Sequence, residues 1–544
     1  MLLENEDLTA DKENQRGDQV TMVWSASFEG NAVVPIRIEC ALGRGFSGIV
    51  MIGGVGQVCE DGKERAKAAL EYLGWSAPAR KILLSVSPGD VKIDRTHLDL
   101  PLSVALAGAT ATSPWAVNPG EWLFAAEMGI SGELRPVAGV VGCASAAMEM
   151  GLRGVIVAHK NLEELHCMGA LGGRCANFQC LGFKTLHDVL RWLEVGDCEQ
   201  SRPVVEPITK ETSSIPAVNF DDMDLSEDLF TLAAVVAAGS HSLLMRGSPG
   251  TGKSMFAKRL CSIMPPMSDD QHLKALRIYS SAASVVPQDI IRGRPPFRAP
   301  HHYTSLAAMV GTTDRPGELA MASGGILFLD ELPEFRRDVL EGLREPLETG
   351  EVAVSRAKGR QTWNADVILI AAANNCPCGW TASRRRRCEC APARVLAYRN
   401  RLSGPLQDRV DIHVNMPENP SQINSVLSAP LTRQDQTQKL ITIVKQAREK
   451  AAARSKLTGV LLNKDIPAKM IFDAFGLPGN KAIPLVTKVI PSHASARSTV
   501  RCLRVARTVA DIEGDDVVRA EHIERAWNWQ ALAAARFRGE VTPL

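Results

Sequence analysis

A glycine-rich segment near the middle of this 544-residue chain constrains the fold more than any other feature. The segment has the spacing of a phosphate-binding P-loop and consists of Gly247, Ser248, Pro249, Gly250, Thr251, Gly252, Lys253 and Ser254. The apolar run 243–245 before it is typical of a buried strand, and the run 255–260 after it is typical of a helix. Because a P-loop joins a strand to a helix, the segment predicts an α/β fold with a parallel sheet.

The residue types in this loop suit a nucleoside triphosphate with its magnesium ion. Glycines let backbone N–H groups approach phosphate oxygens, and the helix N-terminus adds a favourable dipole. Lys253 is expected to bridge the β- and γ-phosphates, and the Ser254 hydroxyl is expected to bind Mg²⁺. The alternative is a glycine-rich turn without a ligand, which the strand, the Lys-Ser pair and the helix together disfavour.

Polar residues follow two further apolar runs. The run 326–329 leads into Asp330 and Glu331, and the run 367–373 leads into Asn374. Because parallel strands end at the same edge of a sheet, these side chains are expected beside the P-loop. Asp330 is predicted to complete the Mg²⁺ shell, Glu331 to polarise the attacking water and Asn374 to contact the γ-phosphate. A surface acidic turn and a turn-forming Asn are the alternatives.

The order of these motifs resembles AAA+ ATPases. Closer similarity to the magnesium-chelatase-like ComM/YifB family is carried by short motifs: RAPHH at 298–302, RPGEL at 315–319, LFLDELPEF at 327–335, LREPLE at 343–348, CPCG at 376–379 and RLSGPLQDRVDIH at 401–413. The resemblance covers roughly residues 22–530. It implies a parallel AAA+ P-loop core, a helical C-terminal lid and an α+β Lon-protease-like N-terminal domain.

The same resemblance implies a ring, usually a hexamer, with ATP at the subunit interfaces. In such a ring an arginine of one subunit reaches the γ-phosphate bound by its neighbour. This role maps to Arg409, with Arg401 as the weaker candidate, and a second sensor arginine maps to Arg497. Asn375 stands where the family usually has proline, so Asn374 and Asn375 compete for the sensor role.

Composition and periodicity divide the chain into segments. The first twenty residues carry six acids and two bases, and the stretch 197–228 is acidic with three prolines. Apolar residues recur at helical spacing across 440–451, which predicts an amphipathic helix. The predicted segments are a disordered tail at 1–20, a non-catalytic Lon-protease-like domain at 21–196, a linker at 197–228, the AAA+ core at 229–417 and the lid at 418–544.

Two closely spaced cysteine pairs lie within the predicted core. Cys376, Cys378, Cys388 and Cys390 supply four thiolates, the number that tetrahedral Zn²⁺ binds. The pattern predicts a zinc site in an insertion at 376–390, with free or redox-active thiols as the alternative. The arginine run 384–387 between the pairs is expected to be solvated, although a zinc loop could hold it against a phosphate backbone.

A basic, proline-rich stretch at 291–303 combines three arginines and two histidines with two aromatic residues. It is either a loop that faces the pore of a ring and grips nucleic acid, or a structural wrap. The N-terminal domain has no serine in 88–102 and no lysine in 134–151, where the family alignment would place a peptidase pair. Peptide cleavage is therefore disfavoured, and the domain is expected to assist ring assembly or substrate docking.

The net charge of +1 favours neither a nucleic-acid nor a membrane partner, and no apolar run is long enough to cross a bilayer. A cytoplasmic location without a membrane partner is expected. The resemblance implies an ATP-driven hexameric motor that acts on DNA, with helicase or branch-migration activity during recombination of incoming DNA. The predicted cofactors are ATP, Mg²⁺ and Zn²⁺. The alternatives are a motor subunit for metal insertion into a porphyrin and a protein remodeller.

Overall fold

A computed structural model describes the chain in several stretches. The described residues are 20–29, 32–53, 57–89, 96–165, 178–196, 218–282, 286–356, 359–381, 383, 386–418 and 435–534. The predicted tail therefore lies outside the described residues except for Val20, and so does the predicted linker up to residue 217.

The N-terminal part of the chain forms a mixed sheet of seven strands. The strands of this part are β1 (Thr21–Glu29), β2 (Ala32–Gly43), β3 (Gly48–Ile52), β4 (Lys81–Ser87), β5 (Trp122–Ala125), β6 (Glu127–Met128), β7 (Leu134–Arg135), β8 (Gly154–Ala158) and β9 (Gln179–Phe183). The sheet order is β3-β4-β2-β1-β5-β8-β9, while β6 and β7 pair separately. Strand β2 runs antiparallel to β1 and β4, and the other neighbours in the sheet are parallel.

Within the described residues, the helices with both ends defined beside this sheet are α1 (Gln57–Tyr72), α2 (Asp99–Ala109), α3 (Val140–Glu149) and α4 (Leu186–Val195). In β4 every second residue is buried, as the pleat requires when one face of a strand covers a core. The expected combination of strands and helices in this part of the chain is confirmed. The likeness to a Lon protease stays a prediction.

The second part contains a five-stranded sheet in which all neighbours are parallel. The strands here are β10 (Leu243–Arg246), β11 (Phe297–Arg298), β12 (Ile326–Leu329), β13 (Glu351–Arg356), β14 (Gly359–Asn364), β15 (Ile368–Ala373) and β16 (Ile412–Asn415). The sheet order is β11-β12-β15-β10-β16, and β13 with β14 forms a separate antiparallel hairpin. Every residue of β10, β12 and β15 is buried, as expected for a parallel sheet covered on both faces. The predicted parallel core is thereby confirmed.

Helices surround this core sheet and continue into a helical C-terminal part. Those of the core are α5 (Glu227–Gly239), α6 (Lys253–Leu260), α7 (Asp269–Ala282), α8 (Gln288–Ile291), α9 (Leu306–Val310), α10 (Glu318–Met321), α11 (Arg337–Gly342), α12 (Pro346–Thr349), α13 (Pro392–Asn400) and α14 (Gly404–Gln407). Those of the C-terminal part, called the lid, are α15 (Gln436–Thr458), α16 (Gly479–Val489), α17 (Ala496–Glu513) and α18 (Ala520–Ala534).

The lid confirms the predicted amphipathic helix. In α15 the residues Leu440, Val444, Ala447 and Ala451 are buried, and the first three join the apolar cluster that covers one face of the core sheet. Polar contacts fix the lid beside α5 and β16. His241 Nε2 lies 2.8 Å from Thr508 Oγ1, and the Gln530 amide donates to the carbonyl oxygen of Asp411 at 3.1 Å.

The N-terminal part packs on the core through α3 and α7. Apolar residues of both parts belong to one buried cluster. At this contact the Gly139 N–H donates to the Ser280 carbonyl at 2.8 Å, and the Arg277 guanidinium donates to the Ser145 hydroxyl at 3.2 Å. Of the helices in the described ranges, none combines the length and the apolar character that a bilayer crossing needs.

Candidate functional site

The P-loop connects the carboxyl end of β10 to the first turn of α6. Gly250 and Gly252 have φ angles of +76° and +81°, in the left-handed region that glycine enters without a steric cost. Strand β10 lies between β15 and the edge strand β16, so the loop follows an interior strand of the parallel sheet. Its backbone N–H groups and the N-terminus of α6 make a cradle suited to phosphate oxygens.

Lys253 is buried and connects the P-loop to the end of β15. Its ammonium donates to the carbonyl oxygens of Gly247 and Ser248, each at 2.8 Å, and to Asn374 Oδ1 at 3.3 Å. Burial lowers the pKa of Lys253, and the nearby Asp330 carboxylate opposes that shift. A phosphate oxygen can replace the neutral carbonyl acceptors and stabilise the charged ammonium.

Ser254 and Asp330 meet although they are 76 residues apart in sequence. The Ser254 hydroxyl, in the first turn of α6, donates to Asp330 Oδ2 at 2.6 Å just beyond the end of β12. A hydroxyl and a carboxylate are the hard oxygen donors that Mg²⁺ prefers, and Mg²⁺ sites in proteins keep few protein ligands beside phosphate and water. The pair therefore fits a magnesium ion.

Glu331 lies beside this pair in an unusual backbone conformation. Its φ of 51° is left-handed, which costs a residue other than glycine of order 1–3 kcal/mol and is found at functional sites. The Glu331 N–H donates to Asp330 Oδ1 at 2.9 Å, and the side chain is 52% exposed. Half exposure leaves the carboxylate accessible to water, as a general base requires.

His302 is a neighbour of Glu331 that could not be predicted from the spacing of the motifs. His302 Nδ1 lies 3.5 Å from Glu331 Oε2, and the His302 ring packs beside the rings of Tyr303 and Phe335. The sequence signal was present in the motif that ends at His302, but nothing in its spacing linked it to Glu331. The contact depends on the parallel pairing of β11 with β12.

Arg409 lies at the opposite edge of the sheet from the P-loop of its own chain. It precedes β16 by three residues, and its carbonyl oxygen accepts a hydrogen bond from the Ser242 hydroxyl at 3.2 Å, just before β10. The P-loop begins after β10. A four-residue strand is about 13 Å long, so the two features are separated by the length of strand β10.

Arg409 and Arg497 meet at the side of the sheet where the parallel strands begin, called the amino edge. Arg409 Nη2 lies 2.9 Å from one carboxylate oxygen of Glu348, and Arg497 pairs with the other oxygen. Arg409 is 14% exposed and also donates to the Arg344 carbonyl at 2.9 Å. The two arginines line a cavity of about 1320 Å³ between the lid and this edge. Arg401 lies elsewhere, 2.9 Å from Glu334 Oε2.

The four cysteines form a compact cluster after β15. Cys376 Sγ lies 3.3 Å from Cys378 Sγ and 3.7 Å from Cys388 Sγ, and all four sulfur atoms, including that of Cys390, are within 4.8 Å of one another. A backbone N–H from Trp380, together with hydrogen bonds from the neighbouring thiols, lowers the pKa of the Cys378 thiol to about 6. The pKa of Cys390 is raised to about 11 despite a backbone hydrogen bond, because its thiol shares a hydrogen bond with that of Cys378. Tetrahedral zinc with Zn–S bonds of ~2.3 Å needs sulfur atoms about 3.8 Å apart, and the cluster is therefore close to zinc geometry.

The basic stretches are only partly available to a ligand. Arg294 pairs with Asp289 at 3.2 Å, and the Arg298 guanidinium forms two hydrogen bonds with Glu318, both at 2.7 Å. Tyr303 is 82% exposed. In the run between the cysteine pairs, residues 384 and 385 lie outside the described residues, while 386 and 387 are exposed.

Comparisons with known proteins show which family this chain resembles. Three family models match the chain: "Magnesium chelatase, subunit ChlI" over 221–424, "Subunit ChlI of Mg-chelatase" over 38–161 and "Magnesium chelatase, subunit ChlI C-terminal" over 434–530. The chain is 34% identical to YifB of Salmonella typhimurium strain LT2 over 500 residues, which cover 92% of this chain and 94% of the relative.

Two further relatives extend over almost the whole chain. YifB of Escherichia coli strain K12 is 33% identical, with 94% of this chain and 97% of the relative covered. The competence protein ComM of Haemophilus influenzae strain Rd is 31% identical, with 94% of this chain and 98% of the relative covered. Together with the P-loop fold, these matches indicate an AAA+-like ATPase. The chain belongs to the magnesium-chelatase-like ComM/YifB family of proteins.

Proposed function

We propose that the protein is an ATP-driven motor that works as a ring of identical subunits, a hexamer by family resemblance, and moves DNA. Helicase or branch-migration activity in recombination of incoming DNA is the specific form. The ring is proposed because the two halves of the site lie apart in one chain. The phosphate cradle lies at one edge of the core sheet, and Arg409 and Arg497 lie at the opposite edge. Stacked subunits can bring these two edges together.

Hydrolysis is assigned to residues at the side of the sheet where the parallel strands end, called the carboxyl edge. Lys253 would bind the β- and γ-phosphates, and Ser254 with Asp330 would hold Mg²⁺, which would supply positive charge to offset the negative charge that develops during phosphoryl transfer. Glu331 accepts the proton of the attacking water, since its carboxylate is accessible and lies next to Asp330. Asn374, already within hydrogen-bonding distance of Lys253 Nζ, orients the γ-phosphate. Asn375 is the weaker candidate because Asn374 makes that contact.

Stabilisation of the transition state is assigned to arginines of the neighbouring subunit. Charge grows on the transferring phosphoryl group, and a guanidinium supplied in trans stabilises it. Arg409 is the finger and Arg497 the second sensor, because a single carboxylate, Glu348, holds both. Arg401 is less suited, since Glu334 and the Pro333 carbonyl bind it away from this pair.

DNA is the proposed substrate on chemical and family grounds. One relative is named a competence protein. Tyr303 offers an exposed ring for base stacking, and the exposed arginines at 386 and 387 offer contacts to phosphate. A second candidate is a chelatase-type motor for metal insertion, which the three magnesium-chelatase matches favour. Protein remodelling is the third.

The substrate is tested by measuring ATP turnover with and without single-stranded, duplex and four-way-junction DNA. The proposal expects at least one of these to stimulate turnover, with Lys253→Ala as the inactive control. Tyr303→Ala should reduce the stimulation without changing turnover in the absence of DNA. Unstimulated turnover with all three DNAs would contradict the DNA assignment and favour the chelatase or remodelling function.

Zinc is the proposed metal of the cysteine cluster (Cys376, Cys378, Cys388, Cys390). Soft thiolates select zinc over magnesium, and the lowered pKa of Cys378 favours the thiolate form. Protein purified without chelator should carry about one zinc ion per chain by metal analysis. A chain without zinc under these conditions would show that the cluster is a set of free thiols.

The domain boundaries and the location remain part of the same proposal. We place a non-catalytic N-terminal domain at 21–196, a linker at 197–228, the ATPase core at 229–417 and the lid at 418–544. The two separate sheets and the helical C-terminal part support this division. The cytoplasm, where nucleotide is supplied, is the proposed location.

A further inference from the structure

The turn that carries the first two cysteines lies directly against the P-loop. This turn, called the knuckle (residues 376–379), is closed by the Gly379 N–H, which donates to the Cys376 carbonyl at 2.9 Å. Gly379 is buried with a φ of +84°, and a Cβ atom there would lie 2.6 Å from both Cδ and Cγ of Pro249. The proline ring is rigid and cannot turn away as a flexible side chain does. The knuckle therefore packs directly against the P-loop, with no room for a side chain between Gly379 and Pro249.

The other end of the knuckle is attached to the phosphate-binding lysine. Asn374, two residues before Cys376, accepts a hydrogen bond from Lys253 Nζ at 3.3 Å. Between them, the carbonyl of Asn375 accepts a hydrogen bond from Arg399 at 3.2 Å. The cysteines at 376 and 378 are thus enclosed by two contacts with the P-loop, one polar on the strand side and one steric on the turn side.

We propose that a zinc ion in the cysteine cluster positions the ATP pocket. The ion cross-links the knuckle to Cys388 and Cys390, and the fixed knuckle holds Pro249 and Asn374 where the P-loop and Lys253 meet the phosphates. This inference rests on the proposed zinc site and the proposed ATPase. It gives the metal a positioning role only, since the thiolates do not touch the reacting atoms.

Thermodynamic linkage makes the inference measurable. If the metal-bound cluster holds the pocket in its ATP-binding form, zinc must tighten nucleotide binding, and nucleotide must tighten zinc binding by the same factor. Coupling between sites in proteins is typically about 5- to 150-fold. A zinc ion that stabilises only its own loop would show no such reciprocity.

The first test measures both affinities on the intact full-length protein. The affinity for a slowly hydrolysed ATP analogue is compared before and after zinc removal by a chelator, and again after zinc is restored. In parallel, the zinc affinity is measured by competition with a chromogenic chelator, with and without the analogue. We expect both affinities to change by one common factor of at least about 5-fold. Unchanged analogue affinity after complete metal removal would overturn the inference.

Substitutions distinguish the effect of the contact between Gly379 and Pro249 from the effect of the zinc ion. Gly379→Ala keeps all four thiols but pushes on Pro249, so it should retain about one zinc per chain and weaken analogue binding. Gly514→Ala is the matched control, because Gly514 has the same φ of +84° and a Cβ there would meet no atom within 4 Å. Cys388→Ser combined with Cys390→Ser should lose zinc and weaken analogue binding, whereas Cys180→Ser in β9 should change neither.

The outcomes distinguish this inference from the proposals beneath it. A protein that binds the analogue but contains no zinc refutes the zinc site. A zinc-loaded protein that does not bind the analogue refutes the assigned nucleotide pocket. Zinc and analogue that both bind, with equal affinities whether or not the other is present, refute the coupling alone. Normal analogue binding by zinc-loaded Gly379→Ala refutes the contact with Pro249 as its route.

Discussion

The two edges of the core sheet differ in how their side chains are assembled. At the carboxyl edge, the P-loop, Asp330 with Glu331, and Asn374 each follow directly after a buried strand. At the amino edge, Arg409 and Arg497 meet on Glu348, a residue of the short helix α12. The first edge consists of short motifs placed side by side by parallel pairing. The second depends on the packing of the lid against the core.

This difference between the two edges indicates which half of the ATPase site a single chain can form by itself. The carboxyl edge already has its internal hydrogen bonds, because Lys253 reaches Asn374 and Ser254 reaches Asp330 in the same chain. The arginines of the amino edge are paired with Glu348 and are separated from their own P-loop by the length of the strands. A complete ATPase site on these assignments therefore needs the amino edge of a second copy.

The largest loss of ATP turnover is expected when the arginine finger at the amino edge is removed. Arg409→Ala should bind ATP and lose about 10³- to 10⁵-fold in turnover, the amount that a finger supplied in trans contributes. Lys253→Ala should fail at its own pocket. Mixing the two inactive proteins should restore part of the activity, because some interfaces then pair an intact P-loop with an intact finger. Steady-state ATP turnover of the mixture measures this recovery.

Two controls make the mixing experiment decisive. Subunit exchange is followed with labelled chains, so that a lack of recovery is not caused by rings that never mix. No recovery despite proven exchange would count against Arg409 acting across an interface. Arg401→Ala is carried in parallel, and recovery obtained with Arg401→Ala but not with Arg409→Ala would move the finger to Arg401.

A somewhat smaller effect is expected at the carboxyl edge. Glu331→Gln keeps the shape of the side chain but cannot accept a proton, so turnover should fall by about 10²- to 10⁴-fold while ATP still binds. Turnover and nucleotide affinity are measured on the same preparation. Glu334→Gln, three residues further along the chain, is the control and should keep most of the turnover. A Glu331→Gln protein with the parent rate would remove Glu331 from its assigned role.

The carboxyl edge could be predicted from sequence because each of its parts is local. A P-loop, an apolar run ending in Asp330 and Glu331, and a run ending in Asn374 indicate three strands, and parallel pairing brings their ends together. The parallel core followed from the P-loop, and the amphipathic helix α15 followed from residue periodicity, which is local as well.

The amino edge could not be predicted in this way. Glu348 is one acid in a sequence with 61, and nothing near it indicates two arginine partners that lie 61 and 149 residues away. The contact of Gly379 with Pro249 also depends on how the knuckle folds back after β15. The position of His302 beside Glu331 could not be predicted from motif spacing either, since that contact arises from the pairing of β11 and β12.

A third prediction tests whether Glu348 positions the two arginines. Glu348→Gln keeps the size of the side chain and removes the charge that both guanidinium groups share. Turnover should fall by up to about 100-fold, the cost of a misplaced catalytic group, while the affinity for ATP at the opposite edge stays near that of the parent. Glu345→Gln, an exposed acid just before α12, is the control. A fall in ATP affinity equal to the fall in turnover would contradict a role confined to the amino edge.

The smallest expected effect concerns the stability of the amino edge itself. Burial raises the pKa of Asp411, but the hydrogen bond and charge of His241 and the charge of Arg501 outweigh burial and bring the pKa to about 2. An unfolded aspartate titrates near ~3.9, so the native contacts of Asp411 stabilise the fold above that pH. This contribution is lost as the pH falls from about 4 to about 2, where the folded state takes up the proton.

Asp411→Asn should therefore lower the free energy of unfolding by about 2 kcal/mol at neutral pH. The gap between the parent and the variant should narrow steadily below about pH 4, because the parent then loses the same charge. Urea unfolding of both proteins between pH 7 and pH 3 measures the gap. Asp366→Asn is the control, since Asp366 is 51% exposed in its pair with Lys464 and should change stability by less than about 1 kcal/mol. A gap that does not depend on pH would mean that the Asp411 charge does not hold β16 at this edge, and that the lid is fixed by its apolar contacts.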